Sequence, residues 1–291
     1  MKQVTIRRAG ILTTVQDLGR IGCRQFGVSL GGALDAFALR VANLLVGNEE
    51  SAAGLEITLG GLQLRFADDR IVGWCGGEFD VRVGSTSLPA GHVAGMSAGE
   101  ELKFNHPKIG CRCWLAISGG IDVPKILGSR STDLRAGFGG FEGRALRDGD
   151  AIRLGARPGS FAFAKATADK QTAATRISSW SAPEPWSQTA SANPTLRVGR
   201  GADRDRFQRF TDEAFVVSPD SDRMGVRLAG PELRPTNHSE LISEAVAPGT
   251  IQVPSSGMPI LLLGDCQTIG GYPKLAHVIT VDLPIAAQLR A

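Results

Sequence analysis

Three groups of glycine and polar side chains stand out as places where the chain could do chemistry. They comprise residues 13–20 with 31–35, residues 128–140, and residues 218–225 with 265–274. Glycine lets backbone N–H groups approach a ligand closely, and consecutive N–H groups in a turn form an anion-binding concavity. The groups therefore predict a site for a small molecule that carries a negative charge or a carbonyl group.

The second group contains two arginines, Arg130 and Arg135, within a run of small residues. A guanidinium can bind a carboxylate or a phosphate through two parallel hydrogen bonds. The same pattern is also typical of a turn region whose arginines pair with Asp133 and Glu142. Both interpretations stay open from the sequence.

The third group follows the most apolar strand of the second half of the chain. It contains Tyr272, the only tyrosine, between Gly270-Gly271 and Pro273-Lys274. A phenol, an ammonium group and backbone amides therefore converge on one loop, and loops held by a rigid scaffold often carry function. The alternative is a tight glycine turn whose tyrosine covers the end of a barrel. We favour a functional role.

Several function classes are not supported. The sequence contains no phosphate loop, zinc-protease helix, nucleophile elbow or biotin-attachment motif. Net charge is +3 and aromatic residues make up 6%, so a nucleic-acid binder is not expected. The five cysteines form no CxxC pair; we expect buried or half-buried free thiols and no metal site.

Short alternating apolar runs separated by Gly, Pro and Asp predict a mainly β chain, and 37 of the 291 residues are glycine. Expected strands lie at 55–58, 62–66, 71–75, 101–104, 111–118, 151–154, 195–198, 250–253, 259–263 and 277–281. One helix is predicted after Asp35, which can cap it, with Gly47 placed to end it. A second, charged helix is expected at 203–210.

The composition divides the chain into two β units. We expect a first unit at 1–156, a linker or irregular segment at 157–194 and a second unit at 195–291. The Ala, Ser, Thr and Pro content of 157–194 is typical of a linker, although Trp180 and Trp186 indicate that it packs on something. Residues 1–8 carry no signal-peptide pattern and no membrane span is apparent, so a cytoplasmic location is expected.

The ordered motifs resemble the family described as biotin-dependent carboxyltransferase, allophanate hydrolase subunit 2, KipA or the C subunit of 5-oxoprolinase. The resemblance covers most of the chain outside 157–194. The matching stretches are 13–20 (TTVQDLGR), 31–47, 55–66 (LEITLGGLQLRF), 116–124 (AISGGIDVP), 128–143 (GSRSTDLRAGFGGFEG), 221–225 (SDRMG), 249–254 (GTIQVP) and 265–274.

This resemblance implies two cyclophilin-like β-barrel units with a few short helices and a KipI-like partner, the B subunit. Three activities share the pattern. The first is the C subunit of an ATP-dependent 5-oxoprolinase, which acts with the B subunit and a third subunit to open 5-oxoproline to glutamate. The second is a biotin-dependent carboxyltransferase acting on urea or a related amide. The third is a non-catalytic KipA-like antagonist of a KipI-like kinase inhibitor.

If the chain has the first activity, the chemistry of opening a small anionic lactam suggests roles for residues of the three groups. The expected catalytic residues are Asp265, Tyr272 and Lys274, with Asp265 or Asp222 as base and the Gly270-Gly271 amides and Tyr272 stabilising oxyanion charge. The expected substrate-binding residues are Arg130, Ser131, Arg135, Ser221, Asp222, Arg223, Gln252, Gln267, Thr268, Gly270 and Gly271. Weaker candidates are Gln16, Asp17, Arg20 and Asp35. ATP, shared with the partner subunits, is the expected cofactor, and biotin is the expected cofactor of the carboxyltransferase alternative.

Two departures from the family pattern bear on these expectations. Cys266 stands where relatives commonly carry Arg or Ala, which should preserve the loop but remove a charge. Relatives also continue past the Ala287-Gln288 motif with another turn and strand. If Ala291 is the natural end, the second barrel lacks or borrows its last strand and leaves an exposed edge.

Overall fold

The structure is a computed structural model that describes residues 2–157, 177–207, 214–236 and 241–291. Strands predominate, and the prediction of a mainly β chain with a few short helices is confirmed. The strands are β1 Gln3–Ala9, β2 Leu12–Gln16, β3 Gly54–Thr58, β4 Leu62–Phe66, β5 Arg70–Val83, β6 Thr86–Ser87, β7 Val93–Met96, β8 Glu101–Ile117, β9 Ala151–Arg153, β10 Val198–Arg200, β11 Val216–Val217, β12 Gly225–Ala229, β13 Glu244–Ala245, β14 Thr250–Gln252, β15 Ile260–Leu262, β16 Ile269–Gly270 and β17 Lys274–Val278. The α-helices are α1 Ala36–Leu45, α2 Glu184–Ser187 and α3 Leu283–Ala286, with 3₁₀ helices at Cys23–Phe26, Arg204–Arg206 and Thr280–Asp282.

The first sheet is built around the antiparallel pair of long strands β5 and β8. Its path among the described residues is β2-β3-β8-β4-β1-β9, and β5 adds β6 and β7. Alternating side chains of these strands fill a core that includes Ile57, Leu64, Trp74 and Leu115. Because side chains alternate between the two faces of a strand, Trp114 points to the other face and packs against α1.

Helix α1 begins and ends where the sequence predicts. Asp35 caps it by accepting a hydrogen bond from the backbone N of Ala38 at 2.8 Å, and Gly47 adopts a left-handed φ of 73° just after it. Such a φ suits glycine because it has no Cβ. The helix buries Ala38, Leu39 and Ala42 against the first sheet.

The second sheet has the order β10-β17-β14-β15-β12-β11 among the described residues. One face packs on a core that includes Val226, Ile251 and Leu261. Gln252, Ile260 and Arg227 alternate with those residues along their strands and therefore lie on the opposite face. A separate pair, β13 with β16, lies beside this sheet.

The C-terminal segment crosses back to the first sheet. The side chain of Gln288 accepts from the backbone N of Cys111 and of Arg112 at 3.1 and 3.0 Å, and its Nε2 donates to the Arg112 carbonyl at 3.0 Å. The Arg112 guanidinium donates to the Ala287 carbonyl at 2.6 Å. This segment therefore connects the last helix to β8.

Several predicted elements are displaced in the structure. Two expected strands, 101–104 and 111–118, belong to the single strand β8. The strand expected at 195–198 is found at Val198–Arg200, and the one expected at 277–281 is found at Lys274–Val278, followed by a 3₁₀ helix. The charged helix expected at 203–210 is a 3₁₀ helix at Arg204–Arg206, and residues 208–210 lie outside the described residues.

The described part of the linker segment contacts the first sheet and α1. Trp186 packs edge-to-face on Phe37, with ring centroids 6.4 Å apart, while residues 158–176 lie outside the described residues. The prediction of free thiols is confirmed, because Cys23 is half-buried and the other four cysteines are buried. No helix in the described ranges is long and apolar enough to span a membrane.

Candidate functional site

Asp17 organises the loop that carries Arg130 and Ser131. Its Oδ1 accepts from the hydroxyls of Ser129 and Ser131, both at 2.6 Å, and its Oδ2 accepts from the backbone N of Arg130 at 2.5 Å. The Arg130 side chain donates instead to the Val123 carbonyl at 2.9 Å. These contacts fix the loop that contains residues 129–131, and they occupy Asp17 and Ser131.

Arg20 is a buried cation beside that loop. Its Nη2 donates to the Ser131 carbonyl at 2.5 Å, and the guanidinium carbon lies 4.4 Å from the centre of the Phe138 ring, a cation–π contact. Its Nε and Nη1 have no hydrogen-bond partner among the described residues. Burial lowers the pKa of Arg20, against the opposing effect of Asp133, Asp17 and Asp265.

Arg223 joins the two sheets through a buried ion-pair network. Its guanidinium binds the Glu56 carboxylate, binds both oxygens of Asp265 at 2.8 and 2.9 Å, and donates to the Gly32 carbonyl at 2.7 Å. Glu56 also accepts from the indole of Trp114 at 3.0 Å. Burial raises the pKa of Asp265, although Arg223 opposes that effect. Asp265 is therefore a structural partner of Arg223.

A cavity of about 480 Å³ opens on the second sheet, on the face opposite its core. Strands β12, β14 and β15 supply its floor, and the loops before and after them supply its walls. The lining residues are Ser218, Asp220, Asp222, Met224, Gly225, Arg227, Leu228, Ala229, Gln252, Pro254, Ser256, Met258, Pro259, Ile260, Leu262, Gln267 and Tyr272. Its size is within the range of small-molecule sites.

Amide side chains form one side of this cavity. Gln252 is buried, and its Nε2 donates to the backbone carbonyl of Tyr272 at 3.2 Å. Its Oε1 faces Nε2 of Gln267 at 3.5 Å. These contacts hold the Gln252 amide, while Tyr272 is 48% exposed and lines the cavity.

The turn before β12 forms another wall. Oδ1 of Asp222 accepts from the backbone N of Met224 and of Gly225 at 2.7 and 3.1 Å. The hydroxyl of Ser221 donates to the Ser218 carbonyl at 2.7 Å. Such side-chain to backbone bonds stabilise turns, so Asp222 keeps a fixed position with its Oδ2 free in the described part of the chain.

The structure brings together four of the residues that the sequence assigns to a site: Asp222, Gln252, Gln267 and Tyr272 line the cavity. Three more residues stand close to it. Ser221 belongs to the turn, the Gly270 backbone lies against the Gln252 amide, and Nη1 of Arg135 is 3.9 Å from the sulfur of Met224.

The other assigned residues do not line the cavity. They are Gln16, Asp17, Arg20, Asp35, Arg130, Ser131, Arg223, Asp265, Thr268, Gly271 and Lys274. Lys274 is a clear example, because its Nζ binds the Glu244 carboxylate at 2.5 Å. Asp35 is occupied as the helix cap. Their proposed catalytic or binding roles remain predictions.

Arg227 is one of the lining residues that the sequence reasoning did not assign to the site. It lies on β12 two residues after the SDRMG motif, next to the core residue Val226. The alternation of side chains along a strand could have identified the face on which Arg227 lies, because a charged residue next to a buried valine must face away from the core.

These features were compared with known proteins. The sequence pattern of the family described as carboxyltransferase domain, subdomains A and B, matches residues 26–291. The chain therefore belongs to this carboxyltransferase domain family.

Individual proteins are also similar in sequence to this chain. The 5-oxoprolinase C subunit of Escherichia coli K12 is 42% identical over 289 residues, which cover 98% of this chain and 87% of that protein. The 5-oxoprolinase C subunit of Haemophilus influenzae is 37% identical, covering 95% of this chain and 84% of that protein. The urea amidolyase of Lachancea kluyveri is 29% identical, and the match covers 97% of this chain but 16% of that protein.

Solved structures share the fold. The crystal structure of TTHA0988 matches with a TM-score of 0.80 and 30% identity, over 100% of this chain and 55% of that chain. The Kluyveromyces lactis urea carboxylase matches with a TM-score of 0.84 and 28% identity, over 99% of this chain and 26% of that chain. The relatives are thus either named as enzyme subunits or are longer proteins that contain this region.

Proposed function

We propose that the chain is the C subunit of an ATP-dependent 5-oxoprolinase, which acts with a KipI-like B subunit and a third subunit to open 5-oxoproline to glutamate. The observation that carries the proposal is the 42% identity to the E. coli C subunit over 98% of this chain. The cavity on the second sheet supports it, because its size and polar lining suit a small amide.

Opening the lactam needs a base and a group that stabilises oxyanion charge. Oxygen of a water molecule bonds to the lactam carbonyl carbon, the ring C–N bond breaks, and a proton from the water reaches the leaving nitrogen. Asp222 can accept that proton at its free Oδ2. The Tyr272 hydroxyl can donate a hydrogen bond to the carbonyl oxygen as negative charge develops there.

Asp222 replaces Asp265 as the stronger candidate for the base. Asp265 is 8% exposed and holds both oxygens against Arg223, whereas Asp222 is exposed at the cavity. A general base must lie within hydrogen-bond reach of the proton that it takes. The position of Asp222 in the cavity lining supports its role as the base.

The cavity does not fit ATP. Its charged lining is the Arg227 guanidinium with the carboxylates of Asp220 and Asp222, and two carboxylates repel a triphosphate. We therefore assign nucleotide binding to the partner subunits.

The test is to reconstitute the chain with its KipI-like and third subunits and to measure consumption of 5-oxoproline and ATP. The wild-type complex should consume both. Asp222→Asn retains Oδ1 for the turn but removes the base, so kcat should fall by about 10²–10⁴-fold. Asp122→Asn, at an exposed site of the first unit, is the matched control and should leave kcat unchanged. A complete complex that consumes no 5-oxoproline overturns the proposal.

A second candidate is carboxyl transfer with carboxybiotin as donor. It is favoured by the family match itself and by the likeness to the K. lactis urea carboxylase. The Gln252 and Gln267 amides could bind the ureido ring of biotin by hydrogen bonds. Carboxybiotin-dependent carboxylation of urea by the purified chain and its partner, without 5-oxoproline turnover, would establish this candidate.

A further inference from the structure

We propose that Arg227 binds the substrate carboxylate, while Gln252, two strands away in the same row of the sheet, binds the lactam amide. The inference rests on the proposed function, and it names which residues select the substrate. It differs from the expectation that Arg130 and Arg135 bind a carboxylate.

The strand register places the two side chains in one row. Arg227 of β12 pairs with Ile260 of β15, and Ile260 pairs in turn with Gln252 of β14. Adjacent strands lie about 4.8 Å apart, so the Cα atoms of Arg227 and Gln252 are separated by roughly 10 Å. All three residues line the cavity. A guanidinium and an amide therefore flank one apolar side chain.

The Arg227 guanidinium is available for a ligand. It has no side-chain hydrogen bond or ion pair within the described ranges, and it is the cation of the described cavity lining. By contrast, the side chain of Arg130 binds the Val123 carbonyl and Lys274 binds Glu244. A free guanidinium presents the fork geometry that a carboxylate accepts through two hydrogen bonds.

The amide end has matching free capacity. A glutamine amide has two N–H donors and an acceptor oxygen with two lone pairs. Gln252 uses one N–H on the Tyr272 carbonyl, and its Oε1 faces the Gln267 amide at 3.5 Å. The other N–H and a second lone pair have no partner among the described residues, and in our proposal they pair with the C=O and N–H of a lactam. The N–H and the carbonyl oxygen of the Gln252 amide can each form a hydrogen bond with the adjacent C=O and N–H of one cyclic amide.

The acidic residues of the wall limit the charge of the ligand. Asp220 and Asp222 line the same cavity, so a dianion such as a phosphate ester would be repelled. A monoanion with its charge held at Arg227 is tolerated. The substrate class is therefore a small cyclic amide with one carboxylate, whose apolar ring carbons rest over Ile260.

The experiment compares three ligands and three variants. In the reconstituted complex, Arg227→Gln should raise KM for 5-oxoproline by about 10–100-fold with kcat nearly unchanged, since a hydrogen-bonded charge pair is lost. Arg227→Lys should recover part of this loss because it keeps the charge but not the fork. Arg153→Gln, on the exposed side of β9, is the control and should leave KM unchanged.

Direct binding gives a second measurement that does not depend on turnover. Calorimetry of the full chain should show that Arg227→Gln weakens 5-oxoproline binding about tenfold or more. Binding of 2-pyrrolidinone and 5-oxoprolinamide, which lack the carboxylate, should be unchanged by the substitution. An unfolding midpoint equal to that of the wild type shows that the Arg227→Gln variant is folded.

The outcomes separate this inference from the proposed function. If the wild-type complex is active and Arg227→Gln has the KM of Arg153→Gln, the inference is overturned and the proposed function stands. If the wild-type complex is inactive, the proposed function fails, and calorimetry decides the inference. In that case the inference is overturned if binding is equally strong without the carboxylate of 5-oxoproline, or equally strong in the Arg227→Gln variant.

Discussion

Arg223 places one cation between two buried carboxylates that belong to different halves of the chain, Glu56 and Asp265. Removing one member of a buried ion pair leaves an uncompensated charge in a poorly solvated place, which costs far more than a surface pair contributes. Arg223 therefore has a structural role that its motif alone, SDRMG, does not reveal.

Arg223→Met should lower the free energy of unfolding by about 3–5 kcal/mol. Its physical cause is the repulsion and poor solvation of Glu56 and Asp265 once the cation is gone. Urea denaturation monitored by tryptophan fluorescence measures the effect. The triple variant that adds Glu56→Gln and Asp265→Asn should recover much of the loss, and an unchanged midpoint for Arg223→Met alone would contradict the assignment.

Asp35 should make the stability of the fold depend on pH. Burial raises its pKa from 3.8 to about 6, so the native state keeps a proton that the unfolded chain releases near pH 4. The native state binds more protons in this window, and the free energy of unfolding therefore falls as pH rises from about 4 to 6, by about 3 kcal/mol in all.

Asp35→Asn should remove this pH dependence, because asparagine is a neutral cap of similar quality. At pH 7 the variant should be more stable than the wild type, and near pH 4 the two should be similar. Urea denaturation at pH 4.5, 6 and 7.5 measures the difference. Parallel stability curves for the two proteins would show that the Asp35 carboxylate is not the group responsible.

At the scale of elements, the strands of the first sheet and α1 could be predicted because local signals agree with packing. Asp35, the α1 apolar face and Gly47 mark both ends of the helix. The strand expected at 277–281 was displaced because apolar residues continue after Val278, while the chain turns at Thr280–Asp282. Alternation alone does not define where pairing with a neighbouring strand stops.

The pair β13–β16 positions the Gln252 amide. A Cβ added at Gly270 would lie 3.0 Å from Nε2 and 3.3 Å from Oε1 of Gln252, closer than normal contact. Glycine at this position lets the two elements approach each other. The absence of a side chain is therefore part of how the cavity is built.

Gly270→Ala should displace the Gln252 amide and raise KM for 5-oxoproline by roughly three- to tenfold, a cost of about 1 kcal/mol. Gly199→Ala is the matched control, because a Cβ there meets one backbone oxygen at 3.9 Å. Steady-state kinetics of the reconstituted complex measure both. Equal KM values for the two variants would show that Gly270 does not position the amide.

At the scale of the whole molecule, the sequence predicted part of the candidate site. Asp222, Gln252, Gln267 and Tyr272 could be identified because their motifs lie on loops and a strand end of the second sheet. Alternation indicates on which face of β12 Arg227 lies, but only the pairing of β12 with β15 and β14 shows that this face lines the cavity. The ion pair of Asp265 could not be predicted from the sequence for the same reason, because its partner Arg223 lies 42 residues away.

Gln288 connects the C-terminal segment to β8 with three hydrogen bonds to the backbone of Cys111 and Arg112, and a fourth joins it to the hydroxyl of Thr189. Gln288→Ala should lower the free energy of unfolding by roughly 2–4 kcal/mol, because it leaves buried backbone groups without partners. Arg290→Ala, at an exposed position, should change it by less than about 0.5 kcal/mol. Chemical denaturation measures both, and equal values would contradict the role of Gln288.

Because the C-terminal segment returns to β8, non-covalent contacts join the two halves of the chain in addition to the peptide connection between them. If the polypeptide is cut between the two halves, the two fragments should reassemble when they are mixed. The hydrogen bonds of Gln288 and the ion pairs of Arg223 do not depend on the connecting chain. Either fragment produced alone would expose backbone groups without hydrogen-bond partners and charges without ion-pair partners, and so would tend to aggregate.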